Sequence, residues 1–117
     1  MKYMLLIYGN HEGWGSMTQE SFAALMAAHT SLQDELRASG EFIDTNELPI
    51  KNSKIVRKQA GVPIVTDGPF VEVKEILAGY YLVDCVSVER AAEIAGRLAE
   101  VEFGLVEVRQ VTAQPNH

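Results

Sequence analysis

The stretch "GYYLVDC", residues 79–85, decides the fold. Its aromatic and β-branched residues favour a strand, in which Tyr80 and Leu82 lie on one face and Tyr81 and Val83 on the other. Both faces of this strand are therefore apolar. A strand of this kind is covered by protein on both sides, whereas a sheet with one wet face alternates apolar and polar residues. The sequence thus predicts a strand buried between two layers.

The segments on either side of this strand predict two β-α-β units with a hairpin between them. The other predicted strands are Lys2–Tyr8, 41–45 and Leu105–Val111, and the hairpin pairs 54–59 with 62–66. The glycine-rich segment 9–17, "GNHEGWGSM", is predicted to be a loop.

The first predicted helix, Gln19–Ser39, is the most strongly patterned element. Thr18 or Ser16 would cap its start, and Gly40 would end it. Apolar residues recur on one stripe at helical spacing. They are Phe22, Leu25, Met26, Leu32 and Leu36.

The second predicted helix, 88–101, begins after Ser87. We expect its inward face to carry four residues. They are Val88, Ala91, Ala95 and Leu98.

These elements predict an α+β fold, a ferredoxin-like sandwich with a mainly antiparallel sheet. Two helices cover only one face of such a sheet, yet the central strand is apolar on both. A second copy of the chain is the simplest cover for the other face. We therefore expect a homodimer whose sheets pack face to face.

Size and composition limit the possible functions. The 117 residues fit a single domain, 1–117. The net charge of −6 and the pI near 5.0 argue against unassisted binding to nucleic acid or to an anionic membrane. The single cysteine, Cys85, allows no internal disulfide. We find no signal peptide and no apolar run long enough for a membrane span, so we expect a cytoplasmic protein.

His29 is the most informative single residue. The helical stripe places it between Met26 and Leu32, facing the predicted sheet. It could be a core histidine with one ring nitrogen bonded. Alternatively, it could line a pocket between helix and sheet and act there as an acid or base.

Asp67 is the second candidate catalytic residue. The dipeptide Asp67-Gly68 before Pro69 is good turn chemistry by itself, because the carboxylate can bond to backbone N–H groups. In the functional interpretation, Asp67 orients His29 as a carboxylate orients the base of a hydrolase triad.

Charged and aromatic residues near the turn are candidates for substrate binding. Glu72 and Lys74 could coat an ordinary connection, or could form the rim of a cleft beside the His29 face of the first helix. Trp14, the only tryptophan, could be a lid over a pocket or a plain anchor of its loop. Together with Tyr81, these residues are the predicted substrate-binding set.

Metal and nucleotide sites are not predicted. His11-Glu12 resembles the start of a metalloprotease helix, but no histidine follows at the required spacing. The glycine loop lacks the Gly-Lys-Ser/Thr of a phosphate loop. We therefore expect no metal and no cofactor.

Three stretches are similar to the YCII-related family, and within it to the DGPF branch. They are "MKYMLLIYGN", "DGPFVEVKE…GYYLVDC" and "VEVRQV". The resemblance implies a dimeric ferredoxin-like α+β barrel. Some members of that branch are fused to, or associated with, sigma-factor domains, which implies a link to transcription initiation.

The resemblance also implies a histidine and an aspartate in one pocket. The histidine matches His29, through the pattern H-x-x-L-x-x-x-L-x-x-x-G that ends at Gly40. In the family the aspartate lies in an Asp-Pro pair after the second helix. Here residues 98–104 read "LAEVEFG", with neither aspartate nor proline, so Asp67 is taken as the replacement.

Two functions follow as hypotheses. The first is a small-molecule enzyme in which His29 moves a proton and Asp67 fixes its tautomer. Isomerisation or elimination on a small cyclic carbonyl or phenolic compound would suit such an acid–base pair. The second is a ligand-sensing or protein-interaction module, with a sigma factor as a possible partner.

Overall fold

The structure is a computed structural model that describes residues 1–69 and 74–113. It confirms the predicted α+β class. The strands are β1 (Lys2–Gly9), β2 (Phe42–Glu47), β3 (Lys54–Gln59), β4 (Val62–Asp67), β5 (Ile76–Asp84) and β6 (Leu105–Val111). The helices are α1 (His11–Gly15), α2 (Gln19–Ser39) and α3 (Val88–Gly96), and a 3₁₀ turn follows at Ala99–Glu102.

Four strands form one antiparallel sheet in the order β2-β5-β1-β6. The two central strands, β1 and β5, are aligned so that Leu5 lies opposite Tyr81. The hairpin of β3 and β4 forms a separate two-stranded sheet. The ferredoxin-like label and the barrel remain predictions, whereas the two β-α-β units around a hairpin are observed.

The core lies between one face of this sheet and the helices. β1 and β5 alternate buried and partly exposed residues, because side chains of a strand point alternately to its two faces. The buried side chains of the main core cluster come from the two central strands, from the residue after β5, from α2, and from α3 with the residues that follow it. They are Tyr3, Leu5, Ile7, Leu32, Leu36, Tyr81, Val83, Cys85, Ala91, Ile94, Ala95 and Leu98.

The prediction for Val88 was wrong. Its side chain is 48% exposed, whereas Ile94 is fully buried. Val88 is the first residue of α3, and the buried face of this helix runs through Ala91, Ile94 and Ala95 instead. Arg90 ties the helix to the start of β2 by two hydrogen bonds to Glu41, of 2.8 and 2.9 Å.

The ends of α2 agree with the sequence. The Thr18 hydroxyl accepts a hydrogen bond from the backbone N–H of Ser21, and the Ser21 side chain bonds back to Thr18. Gly40 ends the helix with a φ of 78°, a left-handed conformation that glycine adopts without a steric penalty.

The predicted loop at 9–17 contains the short helix α1, so that prediction was wrong. Asn10 starts the helix: its side-chain oxygen accepts a hydrogen bond of 2.7 Å from Gly13 N–H. Its amide group also donates to the carbonyl oxygen of Phe103. The helix carries Trp14 back over the end of β1, where Gly9 has no side chain. A Cβ at Gly9 would lie 2.6 Å from the Trp14 ring nitrogen.

The two halves of α2 have different surroundings. Leu32 and Leu36, in the C-terminal half, are buried in the core. In the N-terminal half, Phe22 is 51% exposed and Met26 is 43% exposed, so these residues do not pack on the sheet as their position on the stripe predicted. Among the described residues, no helix is both long and apolar enough to cross a membrane.

Truncation of Leu5 to alanine should destabilise the protein strongly, because this side chain is fully buried in a central strand. We expect a loss of about 2–5 kcal/mol in the free energy of unfolding, measured by guanidinium denaturation. Leu105, 45% exposed on β6, is the matched control, and Leu105→Ala should cost less than half as much. Equal losses would contradict the assigned core.

Candidate active site

A cavity of about 680 Å³ opens between the N-terminal half of α2 and the sheet. This volume lies within the range of small-molecule sites. On the sheet side it is lined by residues of β1, β2 and β5, among them Ile7, Tyr81 and the small residues Ala78 and Gly79. The cavity is therefore enclosed between α2 and the sheet.

The lining has an apolar wall, a polar end and three further polar residues of β2, Thr45, Asn46 and Glu47. The wall consists mainly of aromatic, leucine and methionine side chains. They are Trp14, Met17, Phe22, Leu25, Met26 and Phe103. The polar end contains the histidine of α2 with the groups that bond to it. It comprises His29, Gln33, Tyr81 and Glu100.

Both ring nitrogens of His29 are engaged. Nδ1 lies 2.7 Å from the Tyr81 hydroxyl, and Nε2 lies 2.6 Å from Oε2 of Glu100. The imidazole and the Tyr81 ring are nearly parallel, with an interplanar angle of 17°. The side chains of His29 and Glu100 are each 14% exposed, so the pair lies mostly out of solvent but reaches the cavity.

The partners of each hydrogen bond determine which atom donates and which accepts. An ionised Glu100 can only accept, so Nε2 of His29 carries the hydrogen of their bond. In the neutral imidazole Nδ1 is then an acceptor, and it receives the Tyr81 O–H. The Tyr81 oxygen in turn accepts from the Gln33 amide at 3.2 Å. The chain of donors thus runs from Gln33 through Tyr81 and His29 to Glu100.

Tyr81 is held as a neutral phenol. Burial raises the pKa of its hydroxyl, and the negative charge of Glu100 acts in the same direction, against the opposing effect of the Gln33 hydrogen bond. At neutral pH the hydroxyl therefore keeps its proton and donates it to Nδ1. Nδ1 of His29 therefore stays unprotonated and basic, and it faces the Tyr81 hydroxyl, which can pass a proton to it.

Glu100 is the partner that the sequence analysis missed. It lies in the 3₁₀ turn at Ala99–Glu102, directly after α3. Its second oxygen, Oε1, is buried and has no hydrogen-bond partner among the described residues. The charge of the carboxylate is therefore directed mainly at His29. One signal was available: Glu100 falls in the segment where the family resemblance places an Asp-Pro pair.

Asp67 does not occupy the predicted position beside His29. It ends β4, its side chain is 86% exposed, and it pairs with Lys54 across the hairpin at 2.5 Å. The two nitrogens of His29 are bonded to Tyr81 and Glu100 instead. The expected contact was wrong because β3 and β4 form their own sheet, so the turn after β4 does not bring Asp67 to α2.

The predicted substrate-binding residues divide into two groups. Trp14 and Tyr81 line the cavity together with His29. Lys74 is exposed and does not line it, and Glu72 lies outside the described residues. Within residues 1–69 and 74–113, no three His, Cys, Asp or Glu side chains are grouped to hold a metal ion.

Comparison with known proteins identifies relatives of this chain. The family model of the YCII-related domain matches residues 1–114. An uncharacterised protein of Rhizobium meliloti (strain 1021) is 33% identical over 112 residues, which cover 93% of this chain and 90% of that protein.

Replacement of Tyr81 by phenylalanine should change the response of the protein to alkaline pH. In the folded protein the Tyr81 pKa lies above its ordinary value of 10.0, whereas in the unfolded chain it returns to that value. Between the two values only the unfolded state has released the proton. The free energy of unfolding therefore falls as the pH rises through this interval.

The measurement is chemical denaturation of the native protein and of Tyr81→Phe at pH values below and above 10. At neutral pH the free energy of unfolding of the variant should be about 0.5–1.5 kcal/mol lower than that of the native protein, because the hydrogen bond to His29 is gone. Between neutral and alkaline pH, however, the free energy of unfolding should fall less in the variant than in the native protein. Tyr8→Phe, which removes a 3.3 Å bond to Glu107 near the surface, is the control. An equally steep alkaline decline in Tyr81→Phe would refute the assignment.

Proposed function

The chain belongs to the YCII-related family, and from that premise we propose that it is a small-molecule enzyme in which His29 moves a proton. One observation carries the proposal: His29 joins a carboxylate and a phenol at the polar end of a cavity of ligand size. A histidine whose two nitrogens are held by such groups has the arrangement of a general acid–base catalyst.

Glu100 takes the role that the sequence analysis gave to Asp67. Its bond to Nε2 orients the imidazole and stabilises the imidazolium that forms when Nδ1 accepts a proton. A proton can reach Nδ1 through the Tyr81 hydroxyl, whose oxygen accepts the proton from the substrate while its own hydrogen passes to Nδ1.

Isomerisation or elimination fits this arrangement. In an isomerisation, His29 takes a proton from a carbon beside a carbonyl group and returns it at another position of the same substrate. In an elimination, it takes the proton while the neighbouring carbon loses a leaving group with its bonding electrons. Neither reaction needs a covalent intermediate, and the described lining of the cavity contains no serine or cysteine.

Hydrogen exchange tests the proposal. Small cyclic ketones and phenols are incubated with the protein in D₂O, and deuterium incorporation at carbon is followed by NMR. We expect His29→Gln to lower the exchange rate about 10²–10⁴-fold. Glu100→Gln should also lower it, whereas Asp67→Asn, the same carboxylate-to-amide change on the hairpin, should leave it unchanged.

Nitrogen-15 NMR of the His29 ring gives a second readout. The native protein and Asp67→Asn should show a proton on Nε2, and Glu100→Gln should shift the tautomer because an amide can donate to Nε2 as well as accept from it. Exchange that survives in His29→Gln would overturn the proposal. If compounds bind and none exchanges, the ligand-sensing module, with a sigma factor as its possible partner, becomes the better description.

We also propose that the chain forms a homodimer through the outer face of the four-stranded sheet. Met4, Leu6 and Leu82 lie on that face and are only partly buried. The radius of gyration is 16.3 Å, against about 13 Å for a compact chain of this length. Valine and isoleucine side chains of the hairpin are also exposed. They are Val56, Val62, Ile64 and Val65.

Sedimentation equilibrium of the native chain and of Leu6→Asp tests the dimer. A charge in the centre of an apolar interface should dissociate it, because the buried carboxylate would have no partner. Val86→Asp, at a position that is 82% exposed, is the control and should remain dimeric. A native chain that is monomeric at micromolar concentration would refute the proposal.

A further inference from the structure

The charge of the cavity limits what it can bind. Two carboxylates line it, Glu47 at the end of β2 and Glu100 beside His29. No lysine or arginine is among the described lining residues. The segments that the structure does not describe, 70–73 and 114–117, contain neither residue type.

Five of the ten lysines and arginines form ion pairs with carboxylates that do not line the cavity. Ion pairs join Arg37 to Asp34, Lys54 to Asp67, Arg90 to Glu41, Arg97 to Glu35 and Arg109 to Glu107. Lys51 lines a second, shallower cavity that shares Trp14, Glu47, Pro49 and Ala78 with the first.

An anion in the main cavity would therefore contact no lysine or arginine of the described lining. Even a protonated His29 would not supply a free counter-ion, since its charge is matched by Glu100 at 2.6 Å. The anion would lose its hydration and lie near the negative charge of Glu47, and near that of Glu100 when His29 is neutral, and each effect is unfavourable. An uncharged molecule suffers neither penalty.

The apolar wall indicates the shape of the ligand. Trp14, Phe22 and Phe103 present aromatic rings, and Met17 and Met26 present flexible side chains that adapt to a packed surface. At the other end, the Tyr81 oxygen can accept one further hydrogen bond and the Gln33 amide has a second N–H to donate, so the two residues can bond to one polar group. A ring compound with one hydroxyl or carbonyl group matches both ends.

We infer that the substrate is an uncharged, mainly apolar ring compound, and that Glu47 acts as a specificity-determining residue that rejects anionic analogues. The inference rests on the proposed function for its choice of site. It concerns binding alone, however, so its test needs no turnover.

Trp14 makes the test direct, because it is the only tryptophan of the chain and lines the cavity. Its fluorescence is titrated with pairs of compounds that differ in one group of similar size. Suitable pairs are 4-methylphenol with 4-hydroxybenzoate, and 4-methylcyclohexanone with 4-oxocyclohexanecarboxylate. We expect the uncharged member to bind at least about tenfold more tightly, a difference of about 1.4 kcal/mol.

Glu47→Lys should reduce or reverse this preference by improving the binding of the carboxylates. Glu89→Lys is the matched control, since it makes the same charge change at an exposed position of α3 that does not line the cavity. Titrations near physiological ionic strength limit the effect of distant charges. Glu89→Lys should therefore leave the preference unchanged.

Three results would overturn the inference: equal binding of both members of each pair, equal effects of Glu47→Lys and Glu89→Lys, or no binding of any uncharged member up to about 10 mM. The binding test and the deuterium-exchange test can fail independently. Selective binding without deuterium exchange supports the charge rule and refutes proton transfer. Deuterium exchange on anionic compounds would support proton transfer and refute the charge rule.

Discussion

The hydrogen bond between His29 and Glu100 is the contact on which the site depends. It joins α2 to the 3₁₀ turn after α3. Because a carboxylate can only accept, this one bond fixes which ring nitrogen carries the hydrogen. The free lone pair must then face Tyr81, and the phenol must donate to it. Orientation, tautomer and the route of a proton all follow from a single polar contact at the rim of an apolar core.

The site also depends on an unequal division of α2. Its C-terminal half is anchored by Leu32 and Leu36, which are almost fully buried. Its N-terminal half is separated by the cavity from the part of the sheet that carries Ala78 and Gly79. Cores normally fill such space, and an unfilled region loses the contacts that its walls would otherwise make. Here the cavity is kept, with His29 at the junction between the packed half and the open half.

Much of this arrangement was predictable from local patterns, because each pattern is decided within a few residues. The limits of α2, the hairpin around Ala60-Gly61 and the apolar faces of β5 are of this kind. The position of His29 near the sheet followed from helical spacing. The hydrogen-bond partner of His29 could not be predicted in this way. The contact with Glu100 spans 71 residues and depends on how the turn after α3 meets α2. Asp67 was predicted as the partner of His29 because it is a carboxylate. Sequence spacing could not show that the hairpin of β3 and β4 forms a sheet separate from the one beside α2.

The separation between the residues of the core and those of the cavity wall has a consequence for how such a protein can change over evolutionary time. The residues that stabilise the fold and those that shape the cavity are largely different sets: the core uses the inner face of the sheet with α3, whereas the cavity wall uses partly exposed residues such as Phe22 and Met26. Substitutions at partly exposed positions usually cost little stability. The wall can therefore be remodelled for new compounds while the fold and the proton-transfer groups persist. One scaffold can in this way supply many chemically distinct descendants.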